Sequence, residues 1–219
     1  MRIYLKLSKN KEIVPFDHQI NLVGAFHKWI GRNTIHDQVS MYSLSWLRGG
    51  KGLGKTGLIF PEGADWFIST YDVELVKKTL NGILDNPQVA FGMNVVEVTL
   101  RETPGYESGS RFYLGSPVLI KRNLGEKQKH FTFEEVETDT LLTETFHFKL
   151  SKAGLPVTGA FVRFDREHPA AKTKLSTYRN IQNKVNYCPV IIEGSPEQIG
   201  FAWDVGVGNS TGIGFGSLQ

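Results

Sequence analysis

The segment LRGGKGLGKTG, residues 47–57, fits the phosphate-loop pattern letter for letter: Gly49, four residues, Gly54, Lys55 and Thr56. In that motif backbone N–H groups cradle phosphates, the lysine reaches the terminal phosphates and the hydroxyl holds magnesium. The chemistry also requires a helix N-terminus directly after the loop. A second suggestive stretch closes the chain. GVGNSTGIGFG carries Gly206, Gly208, Gly212, Gly214 and Gly216. Glycine admits positive φ and close backbone approach, so N–H groups there could line an anion site. His18, His130, His147 and His168 are scattered without the HxxxH spacing of a metal site. The acidic residues do not gather as a two-metal nuclease requires, and no GxSxG elbow is present. No metal or cofactor is therefore expected. The single cysteine, Cys188 in YCPVII, excludes an internal disulfide and reads as a small hydrophobe in a strand. It also suggests a reducing, cytoplasmic setting.

The elements that must position these residues decide between the chemistries. RIYLKLS alternates Ile3, Leu5 and Leu7 with Tyr4, Lys6 and Ser8, the mark of a half-buried strand. INLVGAFHKWIG places Leu22, Val23, Phe26, Trp29 and Ile30 at helical spacing, with Gly31 suited to the helix end. MYSLSW alternates again, with Tyr42, Leu44 and Trp46 against Ser43 and Ser45. DWFIST predicts a strand, and Asp72 caps a helix with Val73, Val76, Leu80 and Ile83 on one face. VVEVTLRE alternates Val96, Val98 and Leu100 with Glu97, Thr99 and Arg101. The order is βαββαβ, a ferredoxin-like unit with an antiparallel sheet. After Thr56 the chain reads GLIFPEG, where Pro61, Gly57 and Gly63 disfavour a helix. The phosphate-loop match is thus accidental, and RGGKGLGKTG is expected to be a mobile basic hairpin.

The second half repeats the order less regularly. SPVLIKR reads as a strand, DTLLTETFHFKL as a helix capped by Asp139, and VTGAFVRF and YCPVIIEG as two strands. SPEQIGFAWDVG opens with a capping box, Ser195 to Gln198, with Pro196 at the first helical position. FGSLQ ends the chain as a short strand. The fold class expected is α+β, two tandem ferredoxin-like domains over residues 1–105 and 106–219, divided where TPGYESGS interrupts the pattern. With 219 residues, 40% hydrophobic and 21% charged, the chain can bury substantial cores. A net charge of +3 permits an anionic partner without demanding one. No secretory signal opens the chain, and no apolar run approaches membrane-spanning length, so no membrane partner is expected.

GVG, NSTGI and GFG at the C-terminus reproduce a glycine–hydrophobic–glycine, five-residue, glycine–hydrophobic–glycine pattern. In this the chain resembles the CRISPR-associated Cas six endoribonucleases of the RAMP superfamily, which cut CRISPR repeat RNA. The opening strand and helix, SPVLIKR and the overall length are also similar to that family. The resemblance implies two ferredoxin-like domains, metal-independent cleavage and a catalytic histidine in the loop after the first helix. His36, in GRNTIHDQ, occupies that place. His27 stands within the helix where many members have tyrosine. An imidazole with a pKa of about 6.5 can take a proton from the ribose 2′-OH or give one to the leaving 5′-oxygen. Charge developing on the phosphorane needs a donor such as Tyr42, Lys51, Lys55 or Arg32. Candidate RNA contacts are Arg32, Lys55, Lys121, Arg122 and the five terminal glycines. Basic residues also gather in REHPAAKTKLSTYRN, where Tyr178 adds a stacking surface, although a solvated charged face accounts for such a stretch equally well. The expected activity leaves a 2′,3′-cyclic phosphate and a 5′-hydroxyl. The alternative is a non-catalytic repeat-RNA-binding subunit of a CRISPR effector complex. Repeat RNA and other effector subunits are the partners implied, with the chain a monomer or homodimer.

Overall fold

The computed structural model describes residues 1–31, 39–125 and 127–219. The first half runs β1 (Arg2–Leu7), α1 (Gln19–Ile30), β2 (Tyr42–Leu44), β3 (Lys51–Leu53), β4 (Gly57–Ile59), β5 (Ala64–Thr70), α2 (Val73–Asp85) and β6 (Val95–Arg101). Four of these strands form an antiparallel sheet in the order β2-β5-β1-β6. The alternation in β1 is realised: Ile3, Leu5 and Leu7 are buried with Leu22, Phe26, Trp29 and Ile30 of α1 in one core. Gly31 takes φ 65° at the end of α1. Asp72 accepts a hydrogen bond from the Glu74 N–H at 2.8 Å and so caps α2.

Three local expectations are corrected. Serines 43 and 45 do not face water but are buried; the Ser43 hydroxyl lies against the Asp204 carbonyl, and Ser45 Oγ accepts from the Phe67 N–H at 2.8 Å. In α2 the buried stripe is Leu75, Val76, Thr79 and Ile83, leaving Val73 exposed. The apolar residues of β6 alternate as expected, yet Val96, Val98 and Leu100 are all exposed because β6 is a sheet edge. The phosphate-loop match sits in the β3–β4 hairpin, with Thr56 N–H donating to the Leu53 carbonyl across its turn. A strand follows Thr56 where a phosphate loop needs a helix.

The second half comprises β7 (Ser110–Phe112), β8 (Lys121–Leu124), β9 (Lys127–His130), α3 (Thr138–Lys152), β10 (Phe161–Phe164), β11 (Lys172–Tyr178), β12 (Ile181–Tyr187), β13 (Val190–Glu193) and α4 (Pro196–Val205). Its sheet has the order β10-β13-β7, and the terminal segment joins beside β7 through the Leu114–Leu218 bridge. With that segment included, the order matches the first sheet, so the chain is a tandem of ferredoxin-like units. Two hairpins decorate the second unit, β8–β9 before α3 and β11–β12 before β13. The first strand is thus β7, whereas SPVLIKR feeds the β8–β9 hairpin. Asp139 lies inside the first turn of α3 rather than at its cap; it accepts from the Phe164 N–H and pairs with Arg166. The capping box at Ser195 and Gln198 is complete, with Pro196 at the helix start.

The two units are tied by buried polar groups. The Arg2 guanidinium donates to the carbonyls of Trp203 and Leu218 at 3.1 and 2.8 Å and stacks 3.6 Å from the Trp203 ring. Burial lowers its pKa to about 10, so it stays charged at neutral pH. No helix among the described residues is long and apolar enough to cross a membrane.

Candidate nucleic-acid interface

His27 is half-buried on the flank of α1. A surface cleft of about 370 Å³ opens beside it, lined by Ile20, Val23 and Gly24 of α1, Tyr178 and Arg179 of the second unit, and Ile213 of the glycine segment. A Cβ added to Gly24 would meet no atom of the described residues within 4 Å. Glycine in a helix interior costs about 1 kcal/mol relative to alanine, and here it leaves bare backbone on the cleft floor. Arg179 is held there by its turn. Tyr178 and Ile181 are paired, and Arg179 and Asn180 between them take φ 47° and 65°, the geometry of a two-residue hairpin turn.

The same β11–β12 hairpin borders a second cleft of about 570 Å³. Phe16, Trp46, Thr56 and Leu58 of the first unit face Lys174, Thr177 and Tyr187 across it. Trp46 meets Tyr187 edge to face at 5.8 Å, and the Lys174 amine stands 5.1 Å from the Tyr187 ring centre. Aromatic faces beside cations suit stacked bases and phosphates. The sequence offers Tyr178 as a stacking surface and Arg179 as one of several basic residues, but not their place beside α1; the two positive-φ residues that define the turn carry no glycine to announce it.

The glycine segment is buried and wired internally. N–H groups of Gly206, Val207, Asn209, Gly214 and Gly216 donate to the carbonyls of Ala202, Gly216, Leu119, Thr211 and Pro117. Those groups are therefore not turned toward an external anion. The glycines serve close approach instead: a Cβ at Gly216 would sit 1.9 Å from the Val207 carbonyl oxygen, at Gly206 2.6 Å from that of Gly216, and at Gly208 2.7 Å from that of Leu119. At Gly212 it would sit 2.3 Å from Ser40 Oγ and 2.9 Å from the Tyr42 hydroxyl. Gly214 alone has room, its nearest neighbours being 3.7 Å away, although its φ is 87°. The Trp46 indole donates to the Gly214 carbonyl at 2.7 Å, locking the segment to the first unit.

Beneath this segment lies a group that no sequence pattern singles out. Lys149 of α3 is fully buried, and its amine donates to the carbonyls of Val205 and Gly206 at 3.1 and 3.2 Å and to Thr211 Oγ1 at 2.9 Å. Thr211 in turn donates to the Tyr42 carbonyl at 3.0 Å. Burial pushes the Lys149 pKa down to about 7.

The remaining expected residues separate. His36 and Arg32 lie outside the described residues. Tyr42 is buried against Phe26, with ring centres 4.9 Å apart, and burial raises its pKa to about 12. Its hydroxyl reaches the underside of the glycine segment rather than the cleft lining. Lys51 and Lys55 are exposed on the β3–β4 hairpin and line neither cleft. Arg122 is consumed internally: it donates to the Leu141 carbonyl at 2.7 Å and Thr145 Oγ1 at 3.2 Å, and pairs with Glu144 at 3.3 Å. Lys121 is half-buried, and its backbone N–H donates to Asn209 Oδ1. Cys188 is buried, with burial raising its thiol pKa to about 12. Among the described residues no three His, Cys, Asp or Glu side chains are grouped to hold a metal ion.

The family model described as "CRISPR associated protein Cas6, C-terminal" matches residues 101–219, the stretch that carries the glycine segment, Lys149 and the β11–β12 hairpin. No curated protein matches the sequence. Among solved structures, the product of a Cas6-related gene from Pyrococcus furiosus superposes with a TM-score of 0.85 at 18% identity, covering 100% of this chain and 97% of the other. A RAMP protein described as binding different RNA substrates gives 0.81 at 17% identity, covering 100% and 98%. A Cas6 product complex gives 0.69 at 13% identity, with 100% and 98% covered. The fold, the terminal glycine segment and the family match agree, and the chain belongs to the CRISPR-associated Cas6 family.

Proposed function

We propose that this chain cleaves CRISPR repeat RNA by attack of a ribose 2′-OH on the adjacent phosphate. The observation that supports this reading most is the cleft in which the His27 ring shares a surface with Arg179 and Tyr178. One imidazole accepts the 2′-OH proton as O2′ bonds to phosphorus. The bond from phosphorus to O5′ breaks, and a second group donates a proton to the departing oxygen. The products are a 2′,3′-cyclic phosphate and a 5′-hydroxyl. His27 and His36 are the two proton carriers of this proposal. Arg179 takes the role of phosphate partner, since a guanidinium pairs bidentately with phosphate oxygens and stabilises charge that grows in the transition state. Tyr178 offers a ring on which a base beside the scissile phosphate stacks. RNA is proposed to run along the β11–β12 hairpin, with Lys174, Trp46 and Tyr187 contacting the strand away from the cut. Other CRISPR effector subunits are proposed as further partners.

The test is single-turnover cleavage of the repeat from the same genome, in EDTA. His36→Ala and His27→Ala are each expected to slow cleavage by about a hundredfold or more, the usual scale for a lost general acid or base, while affinity changes little. Tight binding by the unaltered chain with no cleavage at all would overturn the enzymatic reading in favour of a repeat-RNA-binding subunit.

A further inference from the structure

We propose that two copies of this chain pair through β6, joining their first sheets into one continuous sheet about a two-fold axis at Thr99. β6 is a seven-residue edge strand, hydrogen-bonded to β1 on one side only. Its backbone groups on the other side form a template for a further strand. Val98 and Leu100 lie across from Leu5 and Ile3, on the face that carries the helices. Yet they are 38% and 46% exposed, whereas Leu5 and Ile3 are buried. On α2, whose one flank packs on α1 through Gly82 and Trp29, Leu84 and Val73 are exposed as well, at 82% and 52%. Proteins that leave such an edge to water usually blunt it with prolines, inward charges or a covering segment. Here the edge keeps a run of apolar side chains.

Charge selects the occupant and the register. Across β1, Arg101 lies opposite Arg2, and Glu97 lies opposite Lys6, which is engaged by Asp65 at 3.0 Å. Neither arrangement gives Glu97 or Arg101 a dedicated counterion. An antiparallel pair of β6 strands centred on Thr99 sets Glu97 of each copy against Arg101 of the other, twice. On the opposite face it sets Val98 of each against Leu100 of the other, also twice. Moving the axis to Val98 keeps an apolar pairing, Val96 with Leu100, but sets Glu97 opposite Thr99; moving it to Leu100 sets Val98 opposite Glu102 and Thr99 opposite Arg101, so only the Thr99 register makes both matches. A two-fold contact presents the same patch from both subunits, so a strand that complements itself in this way fits a second copy of itself. The axis also brings both α2 helices to one side of the joint sheet.

The experiment uses the full chain freed of RNA. Sedimentation across the micromolar range is expected to show a reversible dimer. Leu100→Lys should weaken it by at least about tenfold. Arg101→Glu and Glu97→Arg should each weaken it, and the double exchange should restore it. Directly opposite residues of an antiparallel pair have Cα atoms about 4.5–5.5 Å apart, within disulfide reach. Thr99→Cys is therefore expected to crosslink on mild oxidation and Glu97→Cys is not; the native Cys188 is buried and silent. These side chains are exposed, so an unchanged thermal melt verifies that each variant folds. A chain that stays monomeric throughout would overturn the proposal and leave the edge to another protein. A dimer indifferent to the charge exchange, with no crosslink at Thr99, would overturn it equally.

Discussion

Two residues show how burial and backbone set what the cleft can do. Lys149 holds the carbonyls of Val205 and Gly206 and the Thr211 hydroxyl with three donated hydrogen bonds, which only the protonated amine can supply together. Its proton leaves near pH 7 in the folded chain and near its ordinary value of 10.5 in the unfolded one. Between those values the unfolded chain holds more protons, so stability should rise with pH through that window. Lys149→Met should remove this rise, read as flatter denaturant midpoints from pH 7 to about 10. Gly24 makes a contrasting prediction. Its Cβ space is open, so Gly24→Ala should stabilise the fold by about 1 kcal/mol. The same methyl stands on the floor of the His27 cleft, so RNA affinity should fall while the melting temperature rises. A rise in both would separate the cleft from RNA binding.

At the level of elements, the two decorating hairpins differ although both are basic. Arg122 on β8 is fastened to α3, so Arg122→Ala should cost about 1–3 kcal/mol of stability and leave the salt dependence of RNA binding intact. Lys174→Ala with Arg179→Ala, on β11–β12, should leave stability nearly unchanged. The log–log salt slope of binding should flatten by about 0.7 for each phosphate of the single strand that these side chains no longer neutralise. In the glycine segment, Gly216→Ala brings a methyl against the Val207 carbonyl at φ 65°, and a melt should report a loss of about 1–3 kcal/mol or more. Both outcomes bear on what was legible in the sequence. β1, α1 and α2 were readable because each buries one face and its period says so, and α4 because SPEQ writes its capping box, although Gln198–Val205 are buried on every side. β6 showed the same period but misled, since alternation records a face without recording whether anything covers it. The β11–β12 ribbon was unreadable because KTKLSTYRN and its return strand are mostly polar. The buried role of Lys149 was hidden because nothing local distinguishes it from the other lysine of α3, Lys152.

The whole molecule places its candidate chemistry where the first helix, the terminal glycine segment and a hairpin of the second unit converge. Arg2, Trp46 and Thr211 bridge the two units through hydrogen bonds to backbone carbonyls. That convergence explains why terminal glycines, expected from the sequence to touch a ligand, act first as packing: they let the segment run between Tyr42, Leu119 and Val207 and bring Ile213 to the cleft. His27 was legible as a half-buried histidine at the edge of an apolar stripe, but its neighbours Tyr178 and Arg179 come from the second unit, and no local pattern could supply them. In the proposed reaction RNA is cut by its own 2′-OH beside these residues. It is tested most directly by replacing the ribose at the cut site with deoxyribose and measuring both binding and cleavage in EDTA. Unchanged affinity, no cleavage of the deoxy substrate, and a 2′,3′-cyclic phosphate on the product of the unmodified RNA are expected. Cleavage of the deoxy substrate at the same position would contradict the proposed reaction.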